Sequence, residues 1–143
     1  MSFLRTVSLV GELVTLEPLS QEHHDGLVDA ARDGDLWDLW YTSIPRPEGM
    51  RAEIDRRVGL RESGTMLPFT VRRNDTGRII GMTTYMNVDA ANRRLEIGST
   101  WIAQSAQRTG TNTESKLLLL THSFLELECI AVEFRTHWWH RQS

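Results

Sequence analysis

The chain has 143 residues, with 16 Lys and Arg against 19 Asp and Glu, a net charge of −3 at neutral pH and one cysteine. That length gives a single domain, 1–143, with a sizeable core, and a slightly acidic chain without any block of like charge argues against nucleic acid as a partner. Cys129 alone cannot form an intramolecular disulfide, the first apolar residues are interrupted by Arg5, Gly11 and Glu12, and no run approaches about 18 apolar residues, so a cytoplasmic protein with no membrane association is expected.

LVTLEPL (13–19) alternates as a strand does, and Pro18 followed by Ser20 ends it and offers a helix N-cap. His24, Leu27, Val28 and Ala31 then recur at helical spacing up to Gly34, and DLWDLW (35–40) reads as a short apolar turn. IPRPE breaks the helix, because proline lacks an N–H and restricts the residue before it. Met50, Ile54 and Val58 mark one face of a second helix that stops near Gly64. From residue 65 the period becomes two: Leu67, Phe69 and Val71 alternate with polar neighbours, NDTG (74–77) turns the chain, and RIIGMTTYM (78–86) returns as the second arm of a hairpin. After DAANR, RLEIGSTWI (94–102) completes an antiparallel three-stranded meander. Residues 112–128 form the longest predicted helix, with Leu117, Leu120, Phe124 and Leu127 on one face and Leu118 and Leu125 widening it, a stripe suited to packing on a sheet. CIAVEFRTH (129–137) is a further β-branched strand, which would bury Cys129.

Between the last two strands, AQSAQRTGTNTESKLLLL (103–120) passes from small polar residues through one glycine into a helix capped by Asn112 or Thr113. Such a start gathers backbone N–H groups at the positive end of the helix dipole. Gly110 lets the backbone approach a ligand closely, and the small side chains of Thr109 and Thr111 keep the amides accessible, so a phosphate fits there. An ordinary capped helix start would look the same.

The order of elements, together with QRTGTN (107–112), resembles the Gcn5-related N-acetyltransferases, whose pyrophosphate signature is Gln/Arg-x-x-Gly-x-Gly/Ala. LVTLEPLSQEHHDGL, EIGSTWI, NTESKLLLLTHSFLEL and VEFRTH look like the RimJ/RimL-like branch, the ribosomal-protein N-terminal acetyltransferases. The resemblance implies an α/β (α+β) fold with a mostly antiparallel mixed sheet flanked by helices. It implies acetyl-CoA as co-substrate, no metal, and transfer of the acetyl group to a primary amine, a protein N-terminus or a small molecule, by direct attack in a ternary complex. Gln107, Arg108, Thr109, Gly110, Thr111, Asn112 and Thr113 would hold the pyrophosphate through main-chain amides, the backbone N–H of Arg108 ranking above its side chain. Asn112 stands where the family most often has Gly or Ala. After the strand 129–137 the family continues through Asn-x-x-Ser into further elements; here HRQS (140–143) puts His140 in the Asn position, beside the cofactor, and Ser143 in the serine position. The resemblance thus implies a chain truncated at its C-terminus and lacking the last strands.

Acetyl transfer needs a base for the ammonium, donors for the oxyanion and an acid for the departing thiolate. Family members often place their base, acting directly or through water, where Glu96 stands; it should share a strand face with Gly98 and Thr100 and alternate with Leu95 and Ile97. A salt-bridged or solvated carboxylate is the alternative. Main-chain N–H groups around Trp101 and Ile102 would hold the oxyanion, and Ser143 would be the acid facing the sulfur. Glu114 and Lys116 read as solvated first-turn residues rather than ligands. His137 and His140 are spaced for one metal, but no second pair of ligands accompanies them. DLWDLWYTSIPRPEGM (35–50) is expected to line the acceptor pocket. The strand 129–137 with Trp138 and Trp139 would form an open apolar edge, which points to a homodimer through 129–139. A non-catalytic CoA-binding or assembly domain of the same fold is the rival reading.

Overall fold

A computed structural model of the chain describes residues 5–34, 44 and 46–134. DLWDLW (35–40), most of the expected acceptor-lining stretch, and His137, Trp138, Trp139, His140 and Ser143 lie outside them. A two-residue strand β1 (Leu9–Val10) turns into β2 (Val14–Pro18); helices α1 (His24–Arg32) and α2 (Met50–Glu62) follow. Then come β3 (Leu67–Arg73), β4 (Ile79–Asp89), β5 (Arg94–Ile102), helix α3 (Thr111–Leu125) and β6 (Ala131–Phe134). The six strands lie in one sheet in sequence order, antiparallel from β1 to β5 and parallel between β5 and β6. The parallel step needs a crossover, which α3 supplies.

Neighbouring residues of β4 show how the layers are arranged, because successive strand side chains point to opposite faces. Thr84 accepts a hydrogen bond from Arg57 of α2, whereas Tyr85 donates its hydroxyl proton to the Leu119 carbonyl of α3 at 2.5 Å. Helix α2 therefore covers one face and α3 the other. His23, beside the start of α1, reaches Thr70 on the α2 face, since Thr70 pairs with Met82. On the α3 face Tyr85 is fully buried, meets Phe69 edge-on at 5.8 Å and stacks with His122, and burial pushes its phenol well above the ordinary range.

Two expectations are corrected by packing. The stripe Leu117, Leu120, Phe124 and Leu127 is not the inner face of α3: Leu117, Phe124 and Leu125 are exposed, and the buried ridge is Thr111, Ser115, Leu119 and Ser123. Small residues at three of these four positions let the helix lie close to the sheet, and the serine hydroxyls satisfy themselves on the Thr111 and Leu120 carbonyls at 2.8 Å. Leu118 and Leu120 flank that ridge, half-buried. Cys129 is buried, but it precedes β6 rather than lying in it.

Candidate active site

Strand β5 carries an extra residue. Glu96, Ile97 and Gly98 face Met86, Tyr85 and Thr84, but the next pairs are Trp101 with Met82 and Ile102 with Gly81, so β5 uses two residues where β4 uses one. Ser99 sits at this bulge with φ of 49°, in the left-handed region. The extra residue inverts the alternation. Glu96 and Gly98 stay on the α2 face, while Thr100 turns to the α3 face and meets the Thr83 hydroxyl at 2.8 Å. The expectation that Thr100 shares the face of Glu96 fails for that reason. Gly81 is required just beyond the bulge, opposite Ile102, since a Cβ there would lie 2.0 Å from the Trp101 carbonyl oxygen. Trp101 and Ile102 are both buried, and the indole Nε1 of Trp101 has no hydrogen-bond partner, a donor that suits a ligand atom or water.

Arg57 is bound to the bulge from the α2 side. It is only 4% exposed, and its Nη1 donates to the Ser99 carbonyl at 3.1 Å and to the Thr84 hydroxyl at 2.9 Å, while Nε donates to Glu53 at 2.7 Å. The sequence reading missed it and put Val58 on the inner face of α2. Met50, Ile54 and Arg57 are the buried residues there, and an arginine at that spacing with a glutamate four residues earlier was the available signal.

Glu96 lines a shallow cavity of about 240 Å³ with Asn87, Asp89, Arg94 and Glu133. Its register partners are Met86 on β4 and Glu133 on β6, and Arg94 approaches Glu133 at 3.8 Å. Three carboxylates against one guanidinium make this wall electronegative.

The loop after β5 is tied from behind. The Asp33 carboxylate, at the end of α1, accepts from the Ser105 amide at 3.2 Å, from the Ser105 hydroxyl and from Arg78 at 3.1 Å. Burial alone would raise the Asp33 pKa, but these bonds together hold it below the ordinary carboxylate value. Gln107 donates to the Ile102 carbonyl at 3.1 Å, and the hydroxyls of Thr109 and Thr111 both donate to the Ala106 carbonyl. Arg108 and Gly110 take positive φ, 64° and 86°, and Gly110 is the N-cap of α3. Asn112 and Thr113 are therefore the second and third helical residues, not caps; the left-handed glycine turns the chain and frees Thr111 to close the loop. The first helical bond runs from the Glu114 amide to the Gly110 carbonyl at 3.0 Å, so the amides of Thr111, Asn112 and Thr113 precede the ladder. Glu114 does not cap them: its carboxylate accepts from the amides of Glu12, Leu13 and Val14 at 3.2, 2.8 and 2.8 Å, which corrects its reading as a solvated residue. Arg108, Thr109 and Gly110 face the exterior, and a helix N-terminus with left-handed loop residues ahead of it suits a phosphate.

The acetyltransferase (GNAT) domain family matches residues 14–143. No curated protein matches the sequence. Among solved structures, the chain is similar to a Vibrio cholerae protein assigned as a ribosomal-protein-serine acetyltransferase, at 18% identity over 94% of this chain and 76% of that one, with a TM-score of 0.78. It is similar to a GCN5-related N-acetyltransferase from Brucella melitensis, at 26% identity over 87% of this chain and 57% of that one, with a TM-score of 0.72. It also resembles RimL, a ribosomal L7/L12 alpha-N-protein acetyltransferase solved in complex with coenzyme A, at 19% identity over 81% of this chain and 67% of that one, with a TM-score of 0.67. With the family matched over nearly its whole length, the chain belongs to the acetyltransferase (GNAT) domain family, the acetyl-CoA-dependent N-acetyltransferases, and its fold is that of the RimJ/RimL-like members.

Proposed function

We propose that the chain acetylates a primary amine by direct attack on acetyl-CoA, with Glu96 as the base. The observation that carries this reading is the position of Glu96: it opens into a cavity on the α2 face, one bulge away from Trp101 and Ile102, whose strand leads directly into the 107–113 loop. In this reading the loop amides hold the pyrophosphate. The electronegative wall of Glu96, Asp89 and Glu133 favours an ammonium, and Glu96, directly or through one water, removes its proton. The neutral nitrogen attacks the thioester carbonyl carbon, and backbone N–H groups around Trp101 and Ile102 stabilise the oxyanion. Collapse breaks the C–S bond, and the second proton leaves the nitrogen as the thiolate is protonated, a role the family pattern gives to Ser143. The acceptor is a protein N-terminus, as for the ribosomal L7/L12 alpha-N-protein acetyltransferase it resembles, or a small-molecule amine.

Release of CoA over a panel of peptide and small-molecule amines tests the reading. Glu96→Gln should lower kcat by about a hundredfold or more at unchanged acetyl-CoA affinity, because it keeps the shape and loses the basicity. Equal loss of both would make Glu96 structural, and acetyl-CoA binding by the unaltered chain without turnover would favour a non-catalytic CoA-binding domain. We also propose a homodimer through the 129–139 edge. Strand β6 is the last in the sheet order among the described residues, with Phe134 exposed in it and Ile130 exposed just before it. Sedimentation velocity checks this, and a folded monomer at tens of micromolar would rule it out.

A further inference from the structure

We infer that Arg57 is a positioning residue for acetyl transfer: through the Ser99 carbonyl and the Thr84 hydroxyl it fixes the β5 bulge that sets the Trp101 and Ile102 backbone against Glu96. The inference rests on the acetyl-transfer reading above. A left-handed conformation is disfavoured for serine, so a bulge built on Ser99 needs support from outside the strand ladder. Arg57 supplies it. Its guanidinium joins three elements at once: its own helix through Glu53, β4 through Thr84 and β5 through Ser99. A guanidinium buried at 4% exposure is costly to desolvate, and an apolar side chain would fill the same space between helix and sheet without that cost. What an apolar side chain could not do is hold the Ser99 carbonyl in place. The bulge divides β5 into two functional halves. The half that carries Glu96 pairs with β6 through residues 94–97 and with β4 through Arg94, Glu96, Ile97 and Gly98, whereas residues 100–102 run toward the cofactor loop. The angle between the halves is the angle between base and oxyanion donors. Errors of about 1 Å in such geometry cost on the order of a hundredfold in rate.

A double-mutant cycle on Arg57→Lys and Ser99→Gly tests this, read as kcat and acetyl-CoA dissociation constant per folded protein, well below each variant's Tm. Lysine keeps the charge but lacks the planar fork that reaches Glu53 and the bulge together. Arg57→Lys should lower kcat about tenfold or more while the acetyl-CoA dissociation constant stays within about threefold, because the loop is held separately by Asp33 and Ala106. Compared with Ser99→Gly as its reference, the Arg57→Lys change should cost less kcat in the double variant than in the unaltered chain, since glycine takes the left-handed conformation without strain. A kcat loss that merely follows loss of folded protein, or an equal cost of Arg57→Lys with and without Ser99→Gly, overturns the inference. Should Arg57→Lys not fold, Glu53→Gln, which weakens the Nε anchor of Arg57 together with the surface pair to Arg56, takes its place, with Arg56→Gln as the control for that second pair. A severalfold fall in kcat at constant acetyl-CoA affinity then supports the role, and an unchanged kcat overturns it. Failure of the unaltered chain to release CoA with any amine would instead remove the acetyl-transfer reading itself.

Discussion

Gly110 and Glu114 show how single residues divide the labour at the start of α3. A carboxylate in the first turn of a helix would ordinarily meet the positive end of the dipole. Glu114 turns away instead and caps the β1–β2 turn, and this requires Gly11, where a Cβ would lie 2.2 Å from Glu114 Oε1. The dipole end is left to Gly110, whose φ of 86° is strained for any β-branched residue. Gly110→Val is therefore expected to weaken acetyl-CoA binding by about tenfold or more in the folded variant, since strain of about 1–3 kcal/mol would be relieved by moving the loop amides. Gly110→Asn, which tolerates the left-handed region, should lose less. Isothermal titration with acetyl-CoA separates these outcomes, and an unchanged affinity in folded Gly110→Val would remove the pyrophosphate assignment from this loop.

At the level of elements, the sequence was readable where periodicity and turn chemistry agreed. RLEIGSTWI gave β5 with its observed ends, and the NDTG turn gave the β3–β4 hairpin. Strand β1 was not readable, because two residues carry no period; it exists through the pairing of Leu9 with Leu16 and Val10 with Thr15. The inner face of α3 was misread because leucines mark greasy positions, whereas the depth of this helix on the sheet is set by small side chains at 111, 115 and 123. Of the candidate site, the loop at 107–113 was legible from Gly110 and the polar run before it. The bulge at Ser99 was not, since it depends on a register with β4 that no local pattern encodes. Arg57 was hidden by the same cause: its partners Thr84 and Ser99 are distant in sequence, and only the assembled sheet brings them together.

Across the whole molecule, titratable groups on both faces of the sheet favour folding near neutral pH. On the α2 face His23 bridges Thr70 at 2.8 Å and Glu17 at 3.1 Å, and Glu17 also holds Arg72. Burial, aided by Arg72, keeps the His23 imidazole below its ordinary 6.5 despite the pull of Glu17, so this contact is a hydrogen bond of neutral histidine. His122 on the α3 face is likewise lowered by burial. Glu17 is lowered chiefly by its hydrogen bond from Arg72; for Glu53 burial alone would raise the pKa, but the bonds from Arg56 and Arg57 outweigh it. All four have folded pKa values below their unfolded ones, so each contribution is present above the unfolded value and is lost as pH falls through the folded one. Stability should decline from pH 6.5 downward as the histidines charge, and further below 4.5 as the carboxylates protonate. Thermal melts should show Tm several degrees lower at pH 5 than at pH 7.5, and an identical Tm at the two would exclude the histidine contribution. The loop after β5, tied by Asp33, Ile102 and Ala106, belongs to this same folded whole. Ordering a backbone residue forfeits about 1–2 kcal/mol of entropy, and here that loss falls on the folding reaction. A ligand arriving at the amides of residues 111–113 meets a surface already stilled, so its association is opposed mainly by its own lost motion and not by that of the protein.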